Sequence, residues 1–321
     1  MLLIFGVVLG FIHYSTSAVG VDNHVIHVTI DNNSTTSQIA SRLKDQGVIR
    51  SEYLFRIYTR LTKTDQGLKA GEYHFDGHWT IPQVVERLKE GTVKTLSFTI
   101  PEGYNVLQIS RLLESEGVVD AGKFLHTFET GKFEFPYLGQ NERNKYSLEG
   151  FLFPDTYKIS PKTNEKEIIQ MMLENFTRIY GPEYQHRAEE LGLSVHEVVT
   201  LASIVEREAK IEKERPIIAA VFHNRLKKGM RLQSCATVQY ALGEIKDELL
   251  YEDLDVQSPY NTYLNQGLPP GPICSPGEAS IKAVLYPADV SYLYFVAKED
   301  GHHAFSDTYE GHLSAKNNGG G

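Results

Sequence analysis

The sequence VHEVVTLASIVEREA, residues 195–209, predicts the helix around which the fold can be interpreted. Its apolar side chains recur every three or four residues, the spacing of one helix face, at Val198, Leu201, Ala202, Val205 and Ala209. Glu206 lies at the edge of that face, one turn beyond Ala202. Apolar surroundings favour the protonated form of a carboxyl group, so Glu206 is a candidate proton donor. The helix alone leaves open the alternative that it is an ordinary surface acid.

Three segments that follow this helix are rich in amide, hydroxyl and aromatic side chains. They are VFHNRL (residues 221–226), GMRLQSCATVQYALG (residues 229–243) and SPYNTYLNQGLPPGP (residues 258–272). Amides and hydroxyls match sugar hydroxyl and N-acetyl groups, and tyrosine rings offer faces for sugar rings. We therefore predict a long polar cleft that binds carbohydrate.

Other catalytic motifs are missing from the sequence. His196-Glu197 begins like the zinc motif HExxH, but Thr200 occupies the position of the second histidine. There is no GxSxG, GxxxxGK[ST] or GxGxxG motif. The two cysteines lack a CxxC spacing, and the adjacent His302 and His303 are more typical of structural residues than of metal ligands. The sequence predicts neither a metal nor a cofactor.

Length and charge limit the possible partners. The 321 residues have room for about two domains. The net charge of -9 and the lack of a basic run argue against a nucleic-acid partner.

The N-terminus predicts membrane targeting. Residues 1–12 are almost wholly apolar, but the run is shorter than a spanning helix requires and lacks the Lys or Arg that opens a signal peptide. We expect residues 1–20 to be an anchor, interpreted as a spanning helix that has lost its cytoplasmic start. A cleaved signal ending near Ala18 and a buried strand are the alternatives. With either targeting segment, the remaining chain lies outside the cytoplasm.

An internal duplication predicts the domain organisation. IASRLKDQGVI (residues 39–49) matches ISRLLESEGVV (residues 109–119) at an offset of 70 residues, and HVTI matches SFTI at the same offset. We predict an α+β fold with related modules at residues 21–95 and 96–160, a mainly helical catalytic domain with a small sheet at 161–313, and a disordered tail at 314–321. Chance similarity of two strand-helix units is the alternative.

The chain resembles the endolytic murein transglycosylases of the YceG-like family. The resemblance is carried by the helix sequence of residues 195–209 and the three polar segments that follow it, together with LEGFLFPDTY (residues 148–157) and YLYFVA (residues 292–297). The resemblance spans residues 28–312. It implies a single-pass inner-membrane protein with an N-terminal anchor, LysM-like modules and a catalytic domain that faces the cell wall. Peptidoglycan strands are the implied substrate, and peptidoglycan synthases are possible partners.

The resemblance also implies a reaction. The first Glu of the family motif SIVExE corresponds to Glu206, which would protonate the bond between N-acetylmuramic acid (MurNAc) and N-acetylglucosamine (GlcNAc) and then act as a base. The muramoyl C6 hydroxyl would attack its own anomeric carbon, so that one acid suffices and a 1,6-anhydro end forms. Such a lyase would terminate strand elongation. A non-catalytic wall-binding scaffold and a lysozyme-type hydrolase are the alternatives.

Twelve further residues are expected to contact the substrate. Arg225 would bind a carboxylate, the amide, hydroxyl and tyrosine side chains would bind sugar, and Glu149 and Asp155 would contact substrate or fix the cleft wall. The alternatives are helix capping for Asn224, ion pairing for Arg225 and core packing for the tyrosines. They are Glu149, Asp155, Tyr157, Asn224, Arg225, Gln233, Thr237, Gln239, Tyr240, Tyr260, Asn261 and Thr262.

The cysteines depart from the family pattern. Cys235-Ala236 replaces an Asp-Pro pair that is common in relatives, so any role of that Asp cannot be transferred to this chain. Cys274 stands where a small or polar residue is expected. We hypothesise a disulfide between Cys235 and Cys274, with two free buried thiols as the alternative.

Overall fold

The structure is a computed structural model that describes residues 26–75, 79–91, 96–137, 148–161, 163–244, 246 and 249–318. The chain divides into two compact units, residues 1–94 and 95–321. Both combine helices with small antiparallel sheets, so the predicted α+β class is confirmed.

The first unit is a two-stranded sheet with three helices. Strands β1 (Ile26–Ile30) and β2 (Gly71–Phe75) are antiparallel, with Ile26 opposite Phe75. Alternate strand residues are buried, as expected for a sheet with one face on a core. The helices are α1 (Thr36–Asp45), α2 (Glu52–Leu61) and α3 (Ile81–Glu90). Thr35 and Thr80 begin α1 and α3 with capping boxes to Gln38 and Gln83.

The second unit begins with a similar arrangement. Strand β3 (Leu96–Thr99), helices α4 (Val106–Ser115) and α5 (Ala121–Thr130) and strand β4 (Thr156–Ile159) follow one another, and the two strands pair antiparallel. The first unit has the same order of strand, two ten-residue helices and strand. The residues of β3 to β4 share one hydrophobic core with the helices that follow.

The rest of the second unit is mainly helical. Its helices are α6 (Glu165–Ile179), α7 (Pro182–Leu191), α8 (Val195–Glu208), α9 (Arg215–Lys227), α10 (Cys235–Leu242), α11 (Glu278–Leu285) and α12 (Tyr309–Asn317), with short 3-10 turns at Glu212–Glu214 and Asp253–Asp255. Strands β5 (Tyr294–Ala297) and β6 (His303–Ser306) form the small predicted sheet. Strand β5 is half-buried, whereas its apolar sequence predicts a buried strand.

Helix α8 lies inside this core rather than on its edge. All eight residues from Val198 to Val205 are buried, and α7, α9, α10 and α11 pack around them. The helix therefore has no single apolar face, contrary to the sequence prediction. Its C-terminal turn carries Glu206 and Glu208 out of the core on different sides.

Two predictions concern the chain ends. Helix α12 includes residues 314–317, so the predicted disordered tail is wrong for those residues, and 319–321 lie outside the described part. The predicted anchor at residues 1–20 also lies outside it. Within the described ranges, no helix combines the length and the apolarity that a membrane span requires.

Candidate active site

Glu206 lies in a buried ion pair. Its side chain is 6% exposed, and its Oε1 accepts a hydrogen bond of 2.8 Å from Nη1 of Arg215, which is 15% exposed. The backbone N–H of Gly277 donates to Oε2 over 3.0 Å, and Ser280 Oγ lies 2.6 Å from the same Arg215 Nη1. These contacts fix the Glu206 side chain between the start of α9 and the loop before α11. Glu206 lines neither of the two clefts described below.

Glu208, two residues later, lines a cleft of about 350 Å³. We call it the Glu208 cleft. The C-terminal turn of α8, the start of α10, the β5–β6 sheet and α12 form its walls. Its lining residues are Glu208, Arg225, Leu232, Gln233, Cys235, Tyr263, Tyr294, Phe295, Val296, Ala297, His303, Tyr309 and His312. Amide, phenol and imidazole groups thus surround one carboxyl group.

The loop before α10 holds the Glu208 carboxyl group in place. Ser234 Oγ donates a 2.5 Å hydrogen bond to Glu208 Oε1, and the backbone N–H of Ala236 also hydrogen-bonds the carboxyl. Ser234 is itself fixed, because its N–H donates to Thr262 Oγ1 over 3.0 Å. Thr262 and Thr237 are buried and share a 2.8 Å hydroxyl contact. Thr237 and Thr262, which the sequence predicts to contact substrate, therefore lie in the core and hold Ser234 in position.

Burial raises the pKa of Glu208, and the hydrogen bonds from Ser234 and Ala236 and the charges of His303 and Arg207 only partly offset this rise. A raised pKa keeps a carboxyl group protonated closer to neutral pH. Glu208 thus has the raised pKa that suits a proton donor.

A histidine on the opposite wall is fixed by a second carboxylate. His303 is buried, and its Nδ1 lies 2.6 Å from Glu214 Oε2, while Nδ1 of His302 lies 3.0 Å from Glu214 Oε1. Burial raises the pKa of Glu214, but the hydrogen bonds with His303 and His302 outweigh it and the net shift is downward. Glu214 therefore stays ionised and orients His303 through the 2.6 Å contact with Nδ1.

Arg225 and Gln233 also line the Glu208 cleft, as the sequence predicts for substrate-facing residues. The Arg225 guanidinium is already engaged, because Nε donates to Leu293 O over 2.6 Å and Nη1 to Leu232 O over 2.9 Å. It lies over the Tyr294 ring, 5.2 Å from its centroid. Arg225 therefore shapes the cleft wall, and its Nε and Nη1 groups already donate to backbone carbonyls.

Gln239 and Tyr240 line a second cleft, of about 330 Å³, which we call the arginine cleft. Its lining residues are Gly103, Asn105, Leu107, Gln108, Arg111, Arg207, Ala236, Gln239, Tyr240, Gly243, Glu244 and Ile273. Tyr260 packs against Tyr240 with ring centroids 4.8 Å apart, and burial raises the pKa of Tyr260.

Glu149 is buried beneath Tyr240. Its Oε1 accepts a 3.1 Å hydrogen bond from the N–H of Val106 at the start of α4, and Tyr240 OH lies 3.4 Å from Oε2. Burial raises the pKa of Glu149 to about 8, although the hydrogen bonds from Val106, Gly150 and Tyr240 lower it. Glu149 caps a helix and lines neither cleft.

Asp155 and Tyr157 share one partner on α6 and line neither cleft. Asn175 Nδ2 donates to Asp155 Oδ2 over 3.0 Å and to the Tyr157 hydroxyl over 3.1 Å. Tyr157 OH also donates to the carbonyl of Phe153. The predicted substrate contacts here belong to the packing of β4 on α6.

Two asparagines predicted to contact substrate instead hydrogen-bond loop carbonyls, and they line neither cleft. Asn224 Nδ2 donates to the carbonyls of Val290 and Tyr292 over 2.9 and 3.0 Å. Asn261 is fully buried, and its Nδ2 donates over 2.8 and 3.0 Å to the carbonyls of Leu254 and Val256. Buried amides require such partners, and these contacts use them.

The hypothesised disulfide is wrong, because both cysteines are free. Cys274 is buried and its thiol donates to Ser203 O over 3.3 Å. Cys235 is exposed in the Glu208 cleft, with its sulfur 3.2 Å from Tyr263 OH. The thiols thus have separate partners, one in the core and one at the surface.

The sequence predicts no substrate-binding or catalytic role for Glu208, Ser234 or His303. Glu208 follows Glu206 by two residues in a charge-rich stretch that is typical of a solvated surface, and the pair His302-His303 is typical of structural residues. Metal ligation gains no support, since no group of three His, Cys, Asp or Glu side chains in the described part of the chain is placed to hold an ion.

Comparison with known proteins identifies the family. The model of the YceG-like family matches residues 28–318. An endolytic murein transglycosylase of Bacillus subtilis (strain 168) is 38% identical over 303 residues, covering 91% of this chain and 84% of that protein. One from Streptococcus pneumoniae serotype 2 is 31% identical over 299 residues, covering 85% and 54%.

A solved structure agrees. The crystal structure of a yceG-like protein from Listeria monocytogenes has a TM-score of 0.62 and 36% sequence identity, and the match covers 90% of this chain and 98% of that one. The family match, the sequence relatives and the shared fold lead to one conclusion: this chain belongs to the YceG-like family.

Proposed function

We propose that this chain is an endolytic peptidoglycan lytic transglycosylase, a lyase that cuts the MurNAc–GlcNAc bond of glycan strands and leaves 1,6-anhydroMurNAc ends. The names of its relatives support the substrate and the reaction class. The observation that carries the mechanism is the Glu208 carboxyl group, which has a raised pKa and lines a polar cleft.

Glu208 is the proposed proton donor. It protonates the glycosidic oxygen of GlcNAc as the bond to the muramoyl anomeric carbon breaks. The resulting carboxylate then takes the proton of the muramoyl C6 hydroxyl while O6 bonds to that carbon. No water is consumed, and Glu208 ends the cycle protonated as it began.

A site with one carboxylate fits this reaction better than it fits hydrolysis. Glycosidases generally use two carboxylates, one as an acid and one as a nucleophile or base. Glu208 is the one carboxylate among the described residues that line its cleft. Glu214, behind His303, stays ionised and is already hydrogen-bonded to both histidines.

Variants of the two acids test the assignment. Glu208→Gln removes the proton and keeps the shape, so we expect kcat on purified sacculi to fall by about 10² to 10⁴. The matched variant Glu206→Gln should stay within about tenfold of the native rate, since it changes an ion pair behind the cleft. Equal release of anhydro-muropeptides by Glu208→Gln and native protein would remove Glu208 from the mechanism. A large loss in Glu206→Gln alone would return the role to Glu206.

Mass spectrometry of the products separates the alternatives. Transglycosylation leaves muropeptides lighter by one water than hydrolysis does. Hydrated ends from the native chain would favour a lysozyme-type hydrolase, and binding without any cleavage would favour a wall-binding scaffold.

We also propose that the duplicated βααβ arrangement of residues 21–95 and 96–160 is LysM-like and that residues 21–95 hold the glycan strand for internal cleavage. In the first unit, a cleft of about 380 Å³ includes Asp31, Ser34, Gln38 and Arg42, which suit sugar hydroxyls. Deleting residues 21–95 should shift cleavage toward strand ends. An unchanged product length distribution would contradict this proposal.

We propose, finally, that residues 1–20 attach the chain to the inner membrane with the catalytic unit outside the cytoplasm, near peptidoglycan synthases. The apolar run of residues 1–12 motivates this proposal. Fractionation of cells that express the full chain would test it, since release of the chain without detergent would contradict membrane attachment.

A further inference from the structure

The arginine cleft is a neighbour of the Glu208 cleft. Arg207 and Glu208 are consecutive residues at the end of α8, and Cys235 and Ala236 are consecutive residues at the start of α10. In each pair, one residue lines the arginine cleft and the other lines the Glu208 cleft. The two clefts are therefore separated by a ridge that these helix ends form.

The arginine cleft contains two uncommitted cations. Arg111 and Arg207 are both exposed, and neither forms a hydrogen bond or an ion pair with any residue in the described part of the chain. By contrast, Arg225 in the Glu208 cleft and Arg215 beside Glu206 both donate hydrogen bonds to protein groups. A guanidinium without a partner retains all of its donors for a ligand.

The loop at Gly103 lies beside one of these groups. Gly103 has φ +79°, and a Cβ built on it would lie 3.5 Å from Nη1 of Arg207 and 3.8 Å from Glu206 Cγ. The loop that carries Gly103 is anchored by the Gly103 N–H, which donates to Ser275 O over 2.9 Å. Arg207 thus lies beside Gly103 at ordinary van der Waals distance, and the positive φ rather than a lack of space favours glycine at this position.

The remaining polar groups suit a peptide. Asn105 and Gln108 bond each other's backbone N–H with their side-chain oxygens, so their NH₂ groups remain as donors. The Gln239 NH₂ donates to Lys246 O, which leaves its carbonyl oxygen as an acceptor. Glu244 at the rim is paired with Lys246 at 3.4 Å. Glu149 beneath the cleft has a pKa of about 8 and adds little negative charge at neutral pH.

We propose that the arginine cleft binds carboxylates of the peptide attached to the glycan strand, with Arg111 and Arg207 as the anion-binding residues. Arginine binds carboxylates with paired donors, and amide groups match a peptide backbone. The inference rests on the proposed function, because the peptide branches from the same sugar whose anomeric carbon reacts beside Glu208. The neighbouring cleft is where that branch would lie.

Binding measured without turnover tests this proposal separately from the catalytic one. The probe is a soluble N-acetylmuramyl peptide with free carboxylates, and the matched ligand carries amides in their place. Calorimetry on the full chain should show about tenfold weaker binding for Arg111→Gln and for Arg207→Gln. Amidating the ligand should weaken binding to the native chain but have little further effect on the double variant.

A charge-matched control and a competing ligand complete the design. Lys123→Gln with Lys132→Gln removes two exposed charges that line neither cleft and should leave the Kd unchanged. Equal affinity for the free and amidated peptides would overturn the proposal, as would native affinity in the double arginine variant. Binding of pyrophosphate without any binding of the peptide would overturn the proposal and assign the cleft to a phosphate ligand instead. If the native protein binds the peptide but does not cleave glycan strands, the result contradicts the proposed function and does not contradict peptide binding in the arginine cleft.

Discussion

Replacing Arg215 tests whether Glu206 is a structural ion-pair partner. The two side chains are 15% and 6% exposed, and Arg215→Met would leave the Glu206 carboxylate with only the Gly277 N–H as a donor among its described contacts. Removing one partner of a buried ion pair costs about 3 to 5 kcal/mol. For a unit of this size that corresponds to a fall in Tm of roughly 6 to 20 °C.

The second variant completes a thermodynamic cycle. Glu206→Gln keeps the Gly277 contact and leaves Arg215 near Glu102, whose Oε2 is 3.9 Å from Nη2. We expect it to cost about 1 to 3 kcal/mol. The double variant should lose less than the sum of the two, because it removes the unpaired charge.

The assay can separate the two units. The only tryptophan, Trp79, belongs to the first unit, so its fluorescence follows that unit while circular dichroism and calorimetry also follow the second. Arg111→Met, at an exposed arginine without an ion pair in the described part of the chain, is the matched control and should change stability by less than about 0.5 kcal/mol. Native stability in Arg215→Met would refute the structural role of the pair.

Three further outcomes follow from Glu208, Glu149 and the cysteines. Ser234→Ala removes a hydrogen bond that lowers the pKa of Glu208, so the alkaline limb of the kcat profile, where the acid loses its proton, should move to higher pH; an unmoved limb would contradict this. Glu149 has a raised pKa of about 8, so its contribution to stability is complete at acidic pH and is lost as the pH rises toward 8; urea unfolding should show this fall of about 1.4 kcal/mol per pH unit in native protein but not in Glu149→Gln. A thiol reagent should label Cys235 in native protein and Cys274 only after unfolding, and finding no free thiol would restore the disulfide.

Some elements follow from local sequence patterns. The alternation in GEYHF (residues 71–75) is typical of a strand and the apolar spacing in residues 39–49 and 109–119 is typical of helices, and β2, α1 and α4 form there. Residues 26–75 and 96–159 also have the same order of strand, two helices and strand. These features are local, so a single sequence contains enough information to predict them.

The choice between two acids on α8 depends on distant residues. Gly277 and Arg215 contact Glu206, whereas Ser234 and His303 lie on the side of Glu208. Only the tertiary fold determines which of these groups each acid meets. The spacing of apolar residues predicts one apolar face, but α8 is buried all round from Val198 to Val205.

The amide-rich motifs were similarly ambiguous. Asn224 and Asn261 satisfy loop carbonyls, whereas Gln233 reaches a cleft, and nothing in residue type distinguishes these uses.

The ridge between the clefts has a consequence for the pattern of cutting. If the peptide lies on one side of the ridge while the sugar reacts on the other, decoration of the polymer decides where scission occurs. A strand with peptides on only some muramic acids would then be trimmed into fragments whose lengths follow the spacing of those branches. Glycan strands whose peptides have been removed by an amidase would then be cut differently from strands that still carry them.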